Sequence, residues 1–273
     1  MRSARFGLIL SVLFLNIPVW AQQTQTGITP PPDQAATTPL PAPKDPQAIT
    51  IIGQAVAAAG GIPAVMTVTD YTASGAVTYH ENQDVQGTVT VRGLGLGDFR
   101  QDATLPTGVR SFAIGNGQAA IKNEDGTIRQ LAFRYQPSLM RSSVFIPCWQ
   151  LAAALNDPMF SLTYKGTAQM DGNAVYDIRV QLMPPGPPDP NGVIAEYFGA
   201  DFFIDTATFQ VRMTQDVVIR HFARKIRYSN YKSIDGVLVP FSIEEEINGR
   251  PSQSIQLNEI AFNGGLQESA FDL

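Results

Sequence analysis

The stretch IRYSNYKSIDGVLVPFSIEEEINGRPSQSIQLNEIAFNGGLQESAFDL, residues 226–273, decides the fold. Asp235-Gly236 separates a Tyr-rich run from VLVPFSIEEEI, and Asn248-Gly249 separates that run from QSIQLNEIAF. Both dipeptides suit the two positive-φ positions of a type I′ hairpin turn. Val237, Val239, Phe241, Ile243 and Ile247 share one parity, and a strand puts such residues on one face. Ser242, Glu244 and Glu246 take the other. The pattern is an antiparallel meander with one apolar side, which must cover a second sheet, a helix or a ligand.

Glu245 breaks the alternation, because it shares the parity of Phe241 and Ile243. Either a bulge after Pro240 resets the register and leaves the carboxylate at a rim, or one carboxylate faces the apolar side. The bulge or rim position is the expectation.

Outward from this meander, the chain divides into unequal parts. Met1–Ala21 reads as a secretory signal: Arg2 and Arg5, an apolar run over 7–20 with Pro18 inside it, and Val19-Trp20-Ala21 at a cleavage site. The run is short for a membrane span. Removing it leaves 17 basic and 24 acidic residues, a net charge of −7. Such a balance argues against a nucleic-acid partner. Residues 22–44 are rich in Pro, Thr and Gln and poor in aromatic and branched apolar side chains. That composition buries too little surface to offset its ordering entropy, so a disordered spacer is expected. Residues 45–273 are the right size for one β-rich domain. The single cysteine, Cys148, excludes an intrachain disulfide and lies too far from the start to be a lipoprotein's acylated residue. It reads as a small buried apolar residue. A periplasmic or secreted location follows from the signal.

Asp45-Pro46 is an N-cap followed by a first-turn proline, Ile49, Ile52 and Val56 follow at helical spacing, and Gly60-Gly61 stops the helix. Tyr71–Tyr79 and Val85–Val91 alternate as strands. Further short strands are expected over 98–104, 109–114, 118–122 and 127–133, with turns at Asn116-Gly117 and Asp125-Gly126. Residues 138–156 interrupt this with a strongly apolar helix, which Pro147 should kink or split. Strands resume over 160–167, 174–182, 202–205 and 209–219, with a proline-rich loop over 183–192 on an exposed rim. Phe209, Val211, Met213, Val217 and Ile219 are expected on one face. The order of elements implies an α+β fold: a single strongly bent antiparallel sheet, an open half-barrel, with helices packed in its concave face. A two-sheet sandwich would leave the apolar insert without a place.

At this point the chain resembles a known family. An opening helix ending in Gly60-Gly61, then Tyr71 and Gly75, a central apolar helix, YKSIDGVLVPFSIEEEINGR, and a closing Asn263 and Phe271-Asp272-Leu273 are similar to the outer-membrane lipoprotein-sorting and carrier proteins. These form the LolA/LolB-like superfamily, which includes the periplasmic sensor MucB/RseB. The resemblance spans 45–273. It implies a half-barrel with an apolar cavity between sheet and helices, holding lipid acyl chains. With the apolar insert and the apolar parity of the late strands, it places Val144, Phe145, Trp149, Phe241 and Ile243 among the lining. The implied partners are lipid acyl chains or lipoproteins, and a membrane-associated protein.

Other chemistry finds less support. His80 and His221 are the only histidines, and neither has metal-ligand spacing. There is no G-x-S-x-G, so a serine hydrolase would need one of those two as its base. Gly93-Leu94-Gly95-Leu96-Gly97 lacks the strand-then-helix context of a dinucleotide site and reads as a hairpin tip. No cofactor or catalytic residue is expected. The leading function is a non-enzymatic lipid- or lipoprotein-binding protein. A sensor or scaffold that reads a protein segment or lipid is the second, and an enzyme the third, which a convergent polar cluster at His80 or His221 would favour.

Overall fold

The computed structural model describes residues 41–131, 144–183, 198–219 and 222–273. Among these residues thirteen strands form one antiparallel sheet in the order β6-β5-β4-β3-β2-β1-β13-β12-β11-β10-β9-β8-β7. The first six are β1 (Asp70–His80), β2 (Asp84–Leu94), β3 (Asp98–Leu105), β4 (Gly108–Gly115), β5 (Gln118–Lys122) and β6 (Ile128–Gln130). The other seven are β7 (Phe160–Met170), β8 (Asn173–Leu182), β9 (Gly199–Asp205), β10 (Val211–Ile219), β11 (Phe222–Ile234), β12 (Val237–Ile247) and β13 (Arg250–Phe262). Described strands β6 and β7 end the order, so the sheet is open rather than closed. Among the described residues three α-helices, α1 (Pro46–Ala58), α2 (Gly61–Met66) and α3 (Pro147–Asn156), accompany it.

The hairpins follow from local chemistry. At Asn116-Gly117, Asp171-Gly172, Asp235-Gly236 and Asn248-Gly249 both residues have positive φ, as type I′ turns require. The hairpin tip between β2 and β3 is Gly95-Leu96-Gly97, with Gly95 at φ 54°, while Gly93 and Leu94 still belong to β2.

One hydrophobic core joins the helices to strands from both halves of the sheet. It includes Ile52 and Val56 of α1, Leu151 of α3, Tyr71 of β1, Phe99 of β3, Phe202 of β9 and Phe241 of β12. Its helices fill the sheet's concave side, as the apolar insert required. Asp45 accepts hydrogen bonds from the Gln47 and Ala48 amides and starts α1. Gly60, at φ 119°, turns the chain into α2, a short helix the sequence reading did not foresee. A Cβ at Gly60 would sit 2.1 Å from the Gly236 carbonyl oxygen. That absence of a side chain lets Leu238 N donate to Ala59 O at 2.9 Å. The two segments that carry the family resemblance, Gly60-Gly61 and the Asp235-Gly236 hairpin, thus meet in space.

Three expectations need correction or narrowing. Pro147 makes no kink inside α3 but opens it at the first position, as the alternative of a split at this residue requires; there its missing N–H costs nothing and its fixed φ is already helical. The expected first half of that helix, 138–143, lies outside the described residues, as does most of the proline-rich loop. Ala42, Pro43 and Lys44, assigned to the spacer by composition, are tied to the domain. Ala42 N donates to Pro158 O, Leu162 N to Pro43 O and Asp45 N to Leu162 O, so this segment covers the start of edge strand β7. Lys44 Nζ donates to the carbonyls of Ala154, Leu155 and Asp157 at 2.8–3.0 Å, satisfying orphan acceptors at the C-terminus of α3.

The third correction concerns β10. Its expected apolar face mixes two faces, because the pairing with β9 shifts register between Val211 and Met213. Val211 belongs to the main core. One residue out of step, Thr214 and Asp216 then face the interior, and Met213 lies on the other face opposite Arg227. A one-residue slip exchanges the two faces of a strand.

Candidate functional site

The residues expected to line a cavity fall at the apolar end of the concave face. α3 and the residues before it present Phe145 and Trp149, and β12 presents Phe241 and Ile243; all four are buried. Val144 is partly buried against the same core. Phe145 packs on Tyr71 at 6.2 Å between ring centroids and stacks on Phe99 at 6.0 Å. Trp149 meets Tyr71 edge-on at 6.4 Å. Gly93 makes room for that central tyrosine, since a Cβ there would come within 2.4 Å of its ring. Ile243 pairs with Tyr228 on one side and Ile255 on the other. The Lys232 ammonium sits 4.0 Å over the Phe241 ring, a cation–π contact.

These side chains are brought into one core, and they are packed. Where α1 and α3 meet the sheet, a crevice opens between Ala58, Ala59, Cys148, Phe209, Tyr231 and Leu238. Its free volume is about 10 Å³, room for a single water and not for an acyl chain. Cys148 is buried there as a free thiol, and burial pushes it up to about 12. It is therefore an inert small hydrophobe, as expected. Tyr231 reaches from β11 to donate to Val211 O at 2.6 Å.

Toward the other end of the same strands the concave face changes character. Tyr228 and Thr214 share a hydroxyl hydrogen bond at 3.1 Å. Arg224 pairs with Asp216 through two hydrogen bonds, one of them Nε to Oδ1 at 2.8 Å, with only 4% of its side chain exposed. Burial opposes the guanidinium's charge, but Asp216 and Glu245 raise its pKa above the usual arginine value. Glu245 is 8% exposed and lies opposite Ile226, in unbroken register with Ile243 opposite Tyr228. The expected bulge after Pro240 is absent from this pairing, and the register shift comes after Glu245. The carboxylate therefore faces inward, contrary to the rim expectation. Gln253 donates to it at 2.9 Å, and Gln101 donates to both Gln253 and the Tyr79 hydroxyl at 3.0 Å. Arg110 closes the row, 4.5 Å over the Tyr79 ring and paired with Glu124 and Glu81 at 2.6 and 2.7 Å. Burial raises the Tyr79 and Tyr228 phenols above their ordinary range. The result is a polar belt of paired groups across the concave side of β10, β11, β12, β13, β1, β3 and β4. Sequence reasoning missed it. The signal was present: Asp216 and Arg224 are matched across one hairpin, and Glu245 keeps the inner parity.

The structure also brings polar groups to His80. Its Nδ1 lies 3.1 Å from Asp84 and its Nε2 2.9 Å from the Ser254 hydroxyl. The order of groups is that of a nucleophile, a base and an orienting carboxylate. Acyl transfer also needs free donors for the oxyanion. Ser254 lies inside β13, paired on one side with Thr78 and on the other with Glu244, so its backbone is committed to the ladders. Asp84 is 59% exposed, and the crevice lies elsewhere. The contact ties the β1–β2 turn to β13. His221 lies outside the described residues.

Comparison with solved structures gives the fold its place. A domain of an outer-membrane lipoprotein-sorting protein from Vibrio parahaemolyticus is similar at TM-score 0.51 and 10% identity, over 83% of this chain and 96% of that one. A LolA superfamily protein from Nitrosomonas europaea is similar at TM-score 0.51 and 11% identity, over 83% and 97%. A DUF1329 family protein from Desulfovibrio piger gives TM-score 0.51 and 12% identity, over 82% and 97%. No protein-family model and no curated protein sequence matches the chain. At these identities the likeness is one of fold alone: the chain shares the open, helix-covered antiparallel sheet of these domains.

Proposed function

We propose that this protein is a non-enzymatic lipid- or lipoprotein-binding protein of the cell envelope, exported by removal of residues 1–21, tethered or spaced by the Pro-rich segment, and working through its half-barrel domain. The observation that carries this reading is the covering of an open sheet's apolar face by helices whose inner side includes Trp149, Leu151 and Ile52, with Phe145 just before α3. Such a face offers an acyl chain the same burial whether a helix or a lipid covers it. The resemblance in fold to a lipoprotein-sorting domain supports the same ligand class.

Because the face is packed, the ligand enters by displacing α1 and α3 from the sheet, starting at the crevice beside Cys148. Ten methylenes leaving water are worth roughly 8 kcal/mol gross. Association and the lost helix packing oppose this by several kcal/mol. A membrane offers the chain equal burial, so net transfer depends on docking to a membrane-associated partner or on strain in the loaded state.

The test is displacement of a fluorescent fatty-acid probe by phospholipid and by acylated peptide. Saturable, competed binding supports the reading. No probe binding under conditions where the fold is intact overturns it and leaves the sensor or scaffold reading in front. The closed packing favours that second reading, in which a protein segment rather than a lipid is recognised on the concave face. Native mass spectrometry of protein taken from its own envelope separates the two by a retained lipid, and the intact mass reports whether residues 1–21 are gone.

A further inference from the structure

We infer that the polar belt is the floor of the binding face: it limits how far an acyl chain enters, and so makes this protein select ligands by chain length. The inference rests on the lipid-binding reading above and adds a specificity to it. Its basis is the change of chemistry along single strands. On β12 the inward residues run Val237, Val239, Phe241, Ile243 and then Glu245. Tyr79 and Gln253 are directly opposite each other on β1 and β13, and Gln101 bonds to both. A chain sliding along this face gains from each methylene until it reaches that row.

Beyond the row the gain stops for a physical reason. Each belt group already has a partner, so a methylene placed among them must separate a hydrogen-bonded pair or leave it desolvated without compensation. Arg224 with Asp216 and Glu245 with Gln253 are the costliest to disturb, because they carry charge. On the apolar side each added methylene strengthens binding by roughly fourfold. At the belt the increment falls to about one.

The experiment is a chain-length series of saturated fatty acids competing with a fluorescent fatty-acid probe. Affinity of the native protein should climb with length and then level off. The double variant Glu245→Leu/Gln253→Leu replaces both members of one pair and leaves Gln101 its bond to Tyr79. In it the climb should continue for roughly two further methylenes, about fifteenfold in affinity. Should that variant fail to fold, Thr214→Val/Tyr228→Phe removes a single hydroxyl pair at nearly constant shape, and its levelling point should also move to longer chains. An unchanged levelling point in a folded variant overturns the inference while leaving lipid binding intact. Absence of probe binding at every length overturns the lipid reading itself.

Discussion

The two ends of the concave face are built on the same strands and obey different rules. At the Tyr71 end, aromatic and aliphatic side chains meet the helices, and stability comes from area removed from water and from close packing. At the Arg224 end, stability depends on every polar group having its partner, because a buried charge left alone is far costlier than a lost contact. In the proposed function the first end exchanges one apolar partner for another, helix for acyl chain. The second cannot, since its partners are specific in direction and charge. That difference is why ligand entry is assigned to one end and its limit to the other.

Truncation at the apolar end should show the largest effect. Trp149→Ala leaves a hole among Tyr71 and the sheet, and should cost about 3–5 kcal/mol in urea unfolding. A cost below about 1 kcal/mol would mean that Trp149 lines an open cavity instead. At the polar end, Asp216→Ala strips Arg224 of this carboxylate and should cost about 3 kcal/mol. The paired change Arg224→Met/Asp216→Leu should recover most of that loss. If the pair change were as damaging as the single one, the belt would be holding the fold through packing, and the contrast between the ends would collapse.

The helix layer's attachment comes next. Gly60→Ala forces a left-handed residue, about 1–2 kcal/mol on backbone grounds, and pushes a methyl into Gly236. It should loosen α1 and α2 more than the belt, read as faster amide exchange in α1 with Glu245 and its neighbours unaffected. The smallest effect is on pH. Burial raises the Tyr79 and Tyr228 phenols in the folded state above the ordinary 10.0. Their contribution is complete below the unfolded value and is lost as pH rises above it, because the unfolded chain then releases those protons first. Tyr228→Phe should flatten the alkaline limb of a stability–pH curve.

The fold was largely legible because its signals are local. Asn-Gly and Asp-Gly pairs mark hairpins by the φ they tolerate, and an apolar insert between β runs has to be covered by the sheet's curve. The burial of the apolar end was legible for the same reason: on α3 and β12 the period of the element and the burial agree. The polar end was not. The register shift between Val211 and Met213 reverses which β10 residues face inward, and alternation cannot reveal a shift that only a neighbouring strand imposes. Glu245 was read as a rim residue because an inward carboxylate has no warrant until its partner Gln253, on the next strand, is placed beside it.

The most direct test of a ligand face that is apolar at one end and polar at the other is photocrosslinking. A saturated fatty acid carrying a diazirine near its methyl end would be irradiated with the native protein and the modified peptides mapped by mass spectrometry. Adducts should fall on α3 and on β12 between Val237 and Ile243, competed by excess unlabelled fatty acid. Competed adducts confined to the convex face, or spread through Gln101, Gln253 and Arg224, would contradict the account.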